Sequence, residues 1–319
     1  MNKSVGITGH VERPVEASVK KMRQSVMIDL IWSKGPYRNM YSESLTEFTV
    51  DIRSIRDIIK MFDGNIIWIR TGSNKDKTTS SDLDLFSQNI NLLTKKSILV
   101  TSDGDRPVPS SYKDETVNKI LECDNIVKWY TQNYDMTNLN NKFHHMPIGF
   151  DFHSPWMLID NDPHKKLLYM IDNRINTINK NTTHILSDTH TNITNPIRKE
   201  LYNTIKSNQL IQFTTKRLDF KQITNTYNSF LFVLSPEGNG LDCHRTWELF
   251  LAGCIVIVKT SSLDKMYIDN NLPVVILNDW GELNDDLENK LKIWKNKYIE
   301  YTKLNIIYPK LKYNYWLKC

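Results

Sequence analysis

Residues 230–258 read FLFVLSPEGNGLDCHRTWELFLAGCIVIV. The runs FLFVL at 230–234 and CIVIV at 254–258 have the length and unbroken apolar content of buried strands, and residues 242–252 between them carry apolar side chains at helical spacing. Strand, glycine-bearing loop, helix and strand follow one another without a break. Strands that alternate with helices in this way predict a parallel sheet covered on both faces.

The same rhythm continues outward. Ile185–Leu186, residues 211–213 and residues 274–277 read as strands, and Pro196 to Ile205 as a helix. Pro163 stands where a first helical turn tolerates proline, ahead of Leu167, Leu168, Ile171, Ile175 and Ile178. In the first half, residues 66–69, 98–100, 126–129 and 146–150 are the expected strands. Ser81 or Asp82 caps a helix with Leu85, Ile90 and Leu93 on its apolar face. Turn residues gather in MPIGFDFHSPW and NDPHKK, which places a joint near residues 150–162. The expected fold class is α/β, with an N-terminal unit over 1–152, a second over 153–290, and a C-terminal helix and tail over 291–319 that returns to the first unit. Four lysines at 290, 292, 295 and 297 and the ending YNYWLKC also leave peripheral association with a membrane surface open for this tail.

Composition bounds the function. The chain has 319 residues, 40% hydrophobic and 24% charged, a balance that excludes collagen-like, coiled-coil and wholly disordered chains. The net charge of +5 comes from basic residues scattered along the chain, which suits a small anionic ligand and gives no stripe for nucleic acid. Four cysteines, at 123, 243, 254 and 319, make no C-x-x-C pair, so neither a zinc ribbon nor a disulfide framework is indicated. The opening MNKSVGITGHVERPVE lacks the apolar stretch of a secretory signal, and nothing approaches the ~18 apolar residues of a membrane span. The expectation is a soluble, cytoplasmic protein.

The loop at 235–240 carries the chemistry. Gly238 and Gly240 let backbone N–H groups approach a ligand, and a helix begins directly after them, a combination that holds phosphate. At about 100° per residue, His244, Arg245 and Glu248 share one side of that helix, while Trp247, Phe250 and Leu251 share the other. Arg245 can give a bidentate contact to phosphate, and Glu248 can accept two ribose hydroxyls. An ordinary i,i+3 ion pair and a plain chain turn would give the same spacing. Neither the P-loop pattern nor G-x-G-x-x-G is present in this loop.

SPEGNGLDCHRTWELFLAGCIVIVKTSSLDKMY, together with LVTSDGDRPVP, KWYTQNYD and MPIGFDFHS in the same order, resembles the exostosin-like glycosyltransferases and related xylosyltransferases across roughly residues 98–280. The resemblance implies a GT-B architecture, two facing Rossmann-like domains, and an inverting transfer with no required metal or other cofactor. It implies a nucleotide-sugar donor, a UDP-sugar with UDP-xylose favoured, and a glycan or glycoconjugate acceptor. Its donor-site residues fall on Ser235, Glu237, Gly238, Asn239, Gly240, His244, Arg245 and Glu248, with Arg217 and Lys259 as further candidates.

Such a displacement needs a base near the acceptor hydroxyl. Asp103 and Asp105 in TSDGDRP follow an expected strand, with Arg106 beside them to keep them ionised. His10 in VGITGH competes for the role, His144 and His145 read as structural, and Asp151 either shapes the joint or touches the donor. Asp103-Gly-Asp105 also satisfies the D-x-D pattern of metal-dependent GT-A transferases. A non-catalytic nucleotide- or glycan-binding module is the remaining alternative.

Overall fold

The computed structural model describes residues 29–33, 52–72, 81–136, 140–176, 179–188, 195–214 and 216–317. Its frame is two all-parallel sheets with helices between their strands. In the first, β1 (Ile66–Gly72), β2 (Ser97–Gly104), β3 (Ile126–Thr131) and β4 (Phe143–His145) lie side by side in chain order. Helices α1 (Ile52–Phe62), α2 (Asp82–Gln88) and α3 (Asp114–Glu122) precede β1, β2 and β3. Ser81 begins α2 with a reciprocal cap: its hydroxyl accepts the Asp84 N–H at 3.1 Å, and the Asp84 carboxylate accepts the Ser81 N–H at 3.0 Å.

The strand expected at 146–150 is not one. β4 ends at His145, and the following residues leave the sheet for residues 31–32, where the Phe150 N–H reaches the Ile31 carbonyl at 2.9 Å. Gly149 makes this possible: its φ is +67°, and a side chain there would collide with the Ile31 carbonyl.

The second sheet follows α4 (Pro163–Asp172). Its elements in chain order are β5 (Asn181–Ser187), α5 (Pro196–Ile205), β6 (Ile211–Phe213), α6 (Phe220–Ser229), β7 (Phe230–Leu234), α7 (His244–Ala252), β8 (Ile255–Lys259), α8 (Asp264–Asp269) and β9 (Val274–Leu277). The strand order is β6-β5-β7-β8-β9. β8 shows why these strands read as unbroken apolar runs: Val256 and Val258 join a core cluster shared with the first sheet, while Ile255 and Ile257 join a second cluster on the opposite face.

The expected C-terminal helix is broken into α9 (Leu287–Tyr298), α10 (Leu304–Ile307) and α11 (Tyr313–Trp316), with 3₁₀ turns between them, one containing Pro309. Its end returns to residues 29–33. The Ile31 N–H meets the Leu311 carbonyl at 2.9 Å, and the Tyr313 hydroxyl donates to the Trp32 carbonyl at 2.5 Å. Trp316 packs edge-on against Trp247 of α7, with ring centroids 5.7 Å apart, so Tyr313 and Trp316 are buried. Among the described residues no helix is long and apolar enough to cross a membrane.

Candidate functional site

The second sheet contains a reversal. From β5 the chain goes outward to β6, then crosses back to β7 and continues to β8 and β9. Neighbouring connections that depart in opposite directions leave a crevice at the carboxyl ends of the strands they separate. Here those ends are β5, followed by Asp188, and β7, followed by the loop 235–240.

Two arginines converge there. Arg245, in the first turn of α7, lies 3.3 Å from the Asp188 carboxylate, which also accepts the Tyr227 hydroxyl at 2.5 Å. Its Nη1 is buried with no hydrogen-bond partner among the described residues. Arg198, in the first turn of α5, donates to the Glu237 carbonyl at 3.3 Å. Burial, and then the positive charge of Arg245, lowers the Arg198 pKa. Asn195 places Arg198 by capping α5, its Oδ1 accepting the Ile197 N–H at 3.0 Å, while its Nδ2 donates to Gly238 at 3.2 Å. A Cβ on Gly238 would stand 3.2 Å from Arg198. The glycine therefore admits a guanidinium to the loop, where the sequence suggested only a close backbone approach to a ligand.

Beside the crevice is a pocket of about 180 Å³. Ser235, Glu237, Thr246 and Lys259 line it with Tyr267 and Trp280. The Ser235 and Thr246 hydroxyls are 2.9 Å apart, which ties the end of β7 to α7. Burial raises the Glu237 pKa against the opposing pull of Lys259, whose amine reaches Glu200 at 3.7 Å and Asp279 at 3.6 Å. Asn239 is exposed at the tip of the loop.

The remaining donor candidates lie elsewhere. Glu248 is engaged through Oε1: it is paired with Lys166 at 2.7 Å, and the side chains of Glu248 and Lys166 are 5% and 0% exposed. The Lys166 amine also reaches the Asp151 carbonyl at 2.6 Å and stands 4.9 Å from the Phe220 ring centroid. The polar side of α7 drawn from the sequence is therefore split, with Arg245 at the crevice and Glu248 in the interior. His244 donates from Nδ1 to the Gly149 carbonyl at 2.8 Å. Arg217 lines a separate surface depression with Trp156, Met157 and Asp219.

The two sheets meet through Asn133, just past β3. Its Nδ2 donates to the Gly104 carbonyl, between Asp103 and Asp105, at 3.1 Å, and its Oδ1 accepts the Asp242 N–H at 2.9 Å. A Cβ on Gly240 would come within 2.8 Å of Asn133, so glycine is needed there for contact between the loops. The loop bearing Asp103 and Asp105 is thus held against the loop bearing Gly240. Asp242 is fully enclosed, its carboxylate accepting the Ile148 N–H at 2.8 Å and the Trp247 indole N–H at 2.9 Å, and burial pushes its pKa up to about 6. Asp151 goes the other way: burial alone would raise it, but His244, His153 and Lys166 bring it to about 2. His144 stacks on Tyr130, and His145 packs edge-on to Tyr134. His10 lies outside the described residues.

The chain matches no protein-family model and no curated protein sequence.

Arg198, Asn133, Asp188 and Lys166 were not singled out in the sequence. For Arg198 a signal existed, since Asn195-Pro196 is a cap followed by a first-turn proline and puts residue 198 in the opening turn. For Asn133, Asp188 and Lys166 there was none, because each acts on a partner more than fifty residues away in the chain or across the sheet edge.

Proposed function

We propose that this chain is an inverting glycosyltransferase of the GT-B type, which moves a sugar from a UDP-sugar to a hydroxyl of a glycan or glycoconjugate. The observation that carries the reading is the convergence of Arg198 and Arg245 at the reversal of the second sheet, with one guanidinium nitrogen buried and unpartnered among the described residues. Two like charges brought together, with a donor left unused, favour a polyanionic ligand such as a diphosphate. The adjoining pocket with Ser235, Glu237 and Lys259 offers room for part of the donor, and the resemblance of residues 98–280 to exostosin-like transferases supports the same class.

In this reading Asp103 or Asp105 takes the proton from the acceptor hydroxyl as its oxygen forms a bond to the anomeric carbon. The bond from that carbon to the diphosphate oxygen breaks, and the electron pair leaves with UDP, whose developing charge is met by Arg198, Arg245 and the loop 235–240. The contact through Asn133 supports this pairing of base and donor loops.

Titration of the protein with UDP and with uridine tests the proposal. UDP should bind and uridine much more weakly, Arg245→Gln and Arg198→Gln should each weaken UDP, and Asp103→Asn or Asp105→Asn should lower transfer while leaving UDP affinity unchanged. Equal affinity for uridine and UDP overturns it. The Asp188 carboxylate already beside Arg245 favours one other reading, a nucleotide-binding module without turnover. Saturable UDP binding with no sugar transfer across a donor panel would select that reading.

A further inference from the structure

A second cluster lies on the other side of the head of α7. Asp151 and His153, on the segment leaving β4, face His244, the first residue of α7, and the ligand atoms of the three lie within 4.8 Å of one another. His153 Nδ1 is 3.3 Å from Asp151 Oδ1, and the two imidazole centroids are 5.4 Å apart. We propose that Asp151, His153 and His244 form a binding site for one divalent transition-metal ion of the zinc class, clipping the segment 149–153 to the start of α7.

The ligand set fits such an ion. Two imidazoles and one carboxylate suit zinc and its neighbours, whereas magnesium and calcium favour oxygen-only sites. A tetrahedral ion with bonds near ~2.0–2.1 Å holds its ligand atoms roughly 3.3 Å apart, so Asp151 and His153 are already at that spacing and His244 has up to about 1.5 Å to close. Three protein ligands leave a fourth position for water or a substrate oxygen.

The surroundings orient the ligands. A carbonyl only accepts, so the His244 contact with Gly149 puts the proton on Nδ1 and leaves Nε2 with its lone pair, the arrangement by which backbone carbonyls fix metal-binding histidines. The Asp151 carboxylate is fixed by the N–H groups of Ser154 at 2.9 Å and His153 at 3.2 Å, and its backbone carbonyl is held by Lys166. Gly149, with φ +67°, locks the root of the segment against Ile31. A plain hydrogen-bonded Asp–His pair requires neither the second imidazole nor its tautomer.

The site is independent of the nucleotide reading: a metal here neither needs UDP nor proves it. The test uses the full, untagged chain, stripped with a chelator and titrated with Zn²⁺ against a chromophoric competitor. One equivalent should bind in the submicromolar range, His153→Gln and His244→Gln should each weaken it at least 10- to 100-fold, and Cys243→Ser should leave it unchanged. Absence of stoichiometric uptake, or uptake unaltered in both histidine variants, overturns the proposal. If a variant fails to fold, zinc-edge X-ray absorption of the unmodified protein decides: two imidazoles with oxygen support the site, and sulfur ligation or fewer than two imidazoles overturns it.

Discussion

Arg245 and Glu248 sit three residues apart on one helix and in opposite electrostatic circumstances. Glu248 has its counter-charge in Lys166 at 2.7 Å, and the pair lies among aromatic rings with side chains 5% and 0% exposed. Arg245 has a partial counter-charge in Asp188, a second arginine nearby and a donor nitrogen without a partner among the described residues. A buried charge with a close counter-charge is held by the fold, whereas a buried donor with an unmade bond costs about 1–3 kcal/mol that a ligand can recover.

Four experiments test this contrast, in order of expected effect. Lys166→Met leaves a buried carboxylate alone and should destabilise the fold by about 3–5 kcal/mol in urea unfolding, while Lys166→Met with Glu248→Leu should restore most of the loss. A single variant as stable as the parent would show that the pair is not sealed. Arg245→Gln should instead lower kcat/KM for sugar transfer by about 10²–10³-fold, with a smaller change in unfolding midpoint than Lys166→Met. If stability falls further than with Lys166→Met, Arg245 is structural and the contrast fails.

His145 extends the comparison to the contact between the two sheets. Its Nδ1 is buried without a partner among the described residues, and burial brings its pKa to about 4, with Asp269 of α8 pulling the other way. The folded pKa lies below the ordinary histidine value near ~6.5, so folding favours the neutral ring. The stability this contributes is present above about pH 6.5 and is lost as pH falls toward 4, by about 2–3 kcal/mol. Unfolding midpoints measured across that window should show the slope, and His145→Asn should flatten it. The smallest effect belongs to a completed surface cap: Asp162 accepts the His164 and Lys165 N–H groups at the start of α4, and Asp162→Ala should cost about 1 kcal/mol of thermal stability with no change in UDP binding.

The parallel α/β fold was legible because buried strands and amphipathic helices write their periods locally. The observed bounds of α5, β6, β7 and β9 are those read from the sequence. The misreading at 146–150 has a tertiary cause, since Met146, Ile148 and Phe150 are buried in the core they share with residues 30–32 and the second sheet, and Phe150 pairs through an isolated bridge to Trp32 instead of a continued β4. Helix α6 was not read because FKQITNTYNS is rich in Thr, Asn and Ser, weak helix formers, although Asp219 and Gln222 supply a reciprocal cap.

In the candidate site the loop 235–240 was legible and the division of labour around it was not. Ser235, Glu237 and Lys259 do share a pocket. Helical spacing alone put Arg245 and Glu248 on one face, but the environment of that face is set by α4, α5 and β5, which bring Lys166, Arg198 and Asp188 to it.

The amino-acid order by itself determined the strands, most helices and the glycine loop at 238–240, since backbone preference and burial period act between near neighbours. Which charges are neutralised, which donor is left over, and that Asp151 and His153 meet His244 were decided only by tertiary structure. Electrostatic satisfaction depends on distance in space, and these partners come from separate segments that only the packing of the two sheets unites.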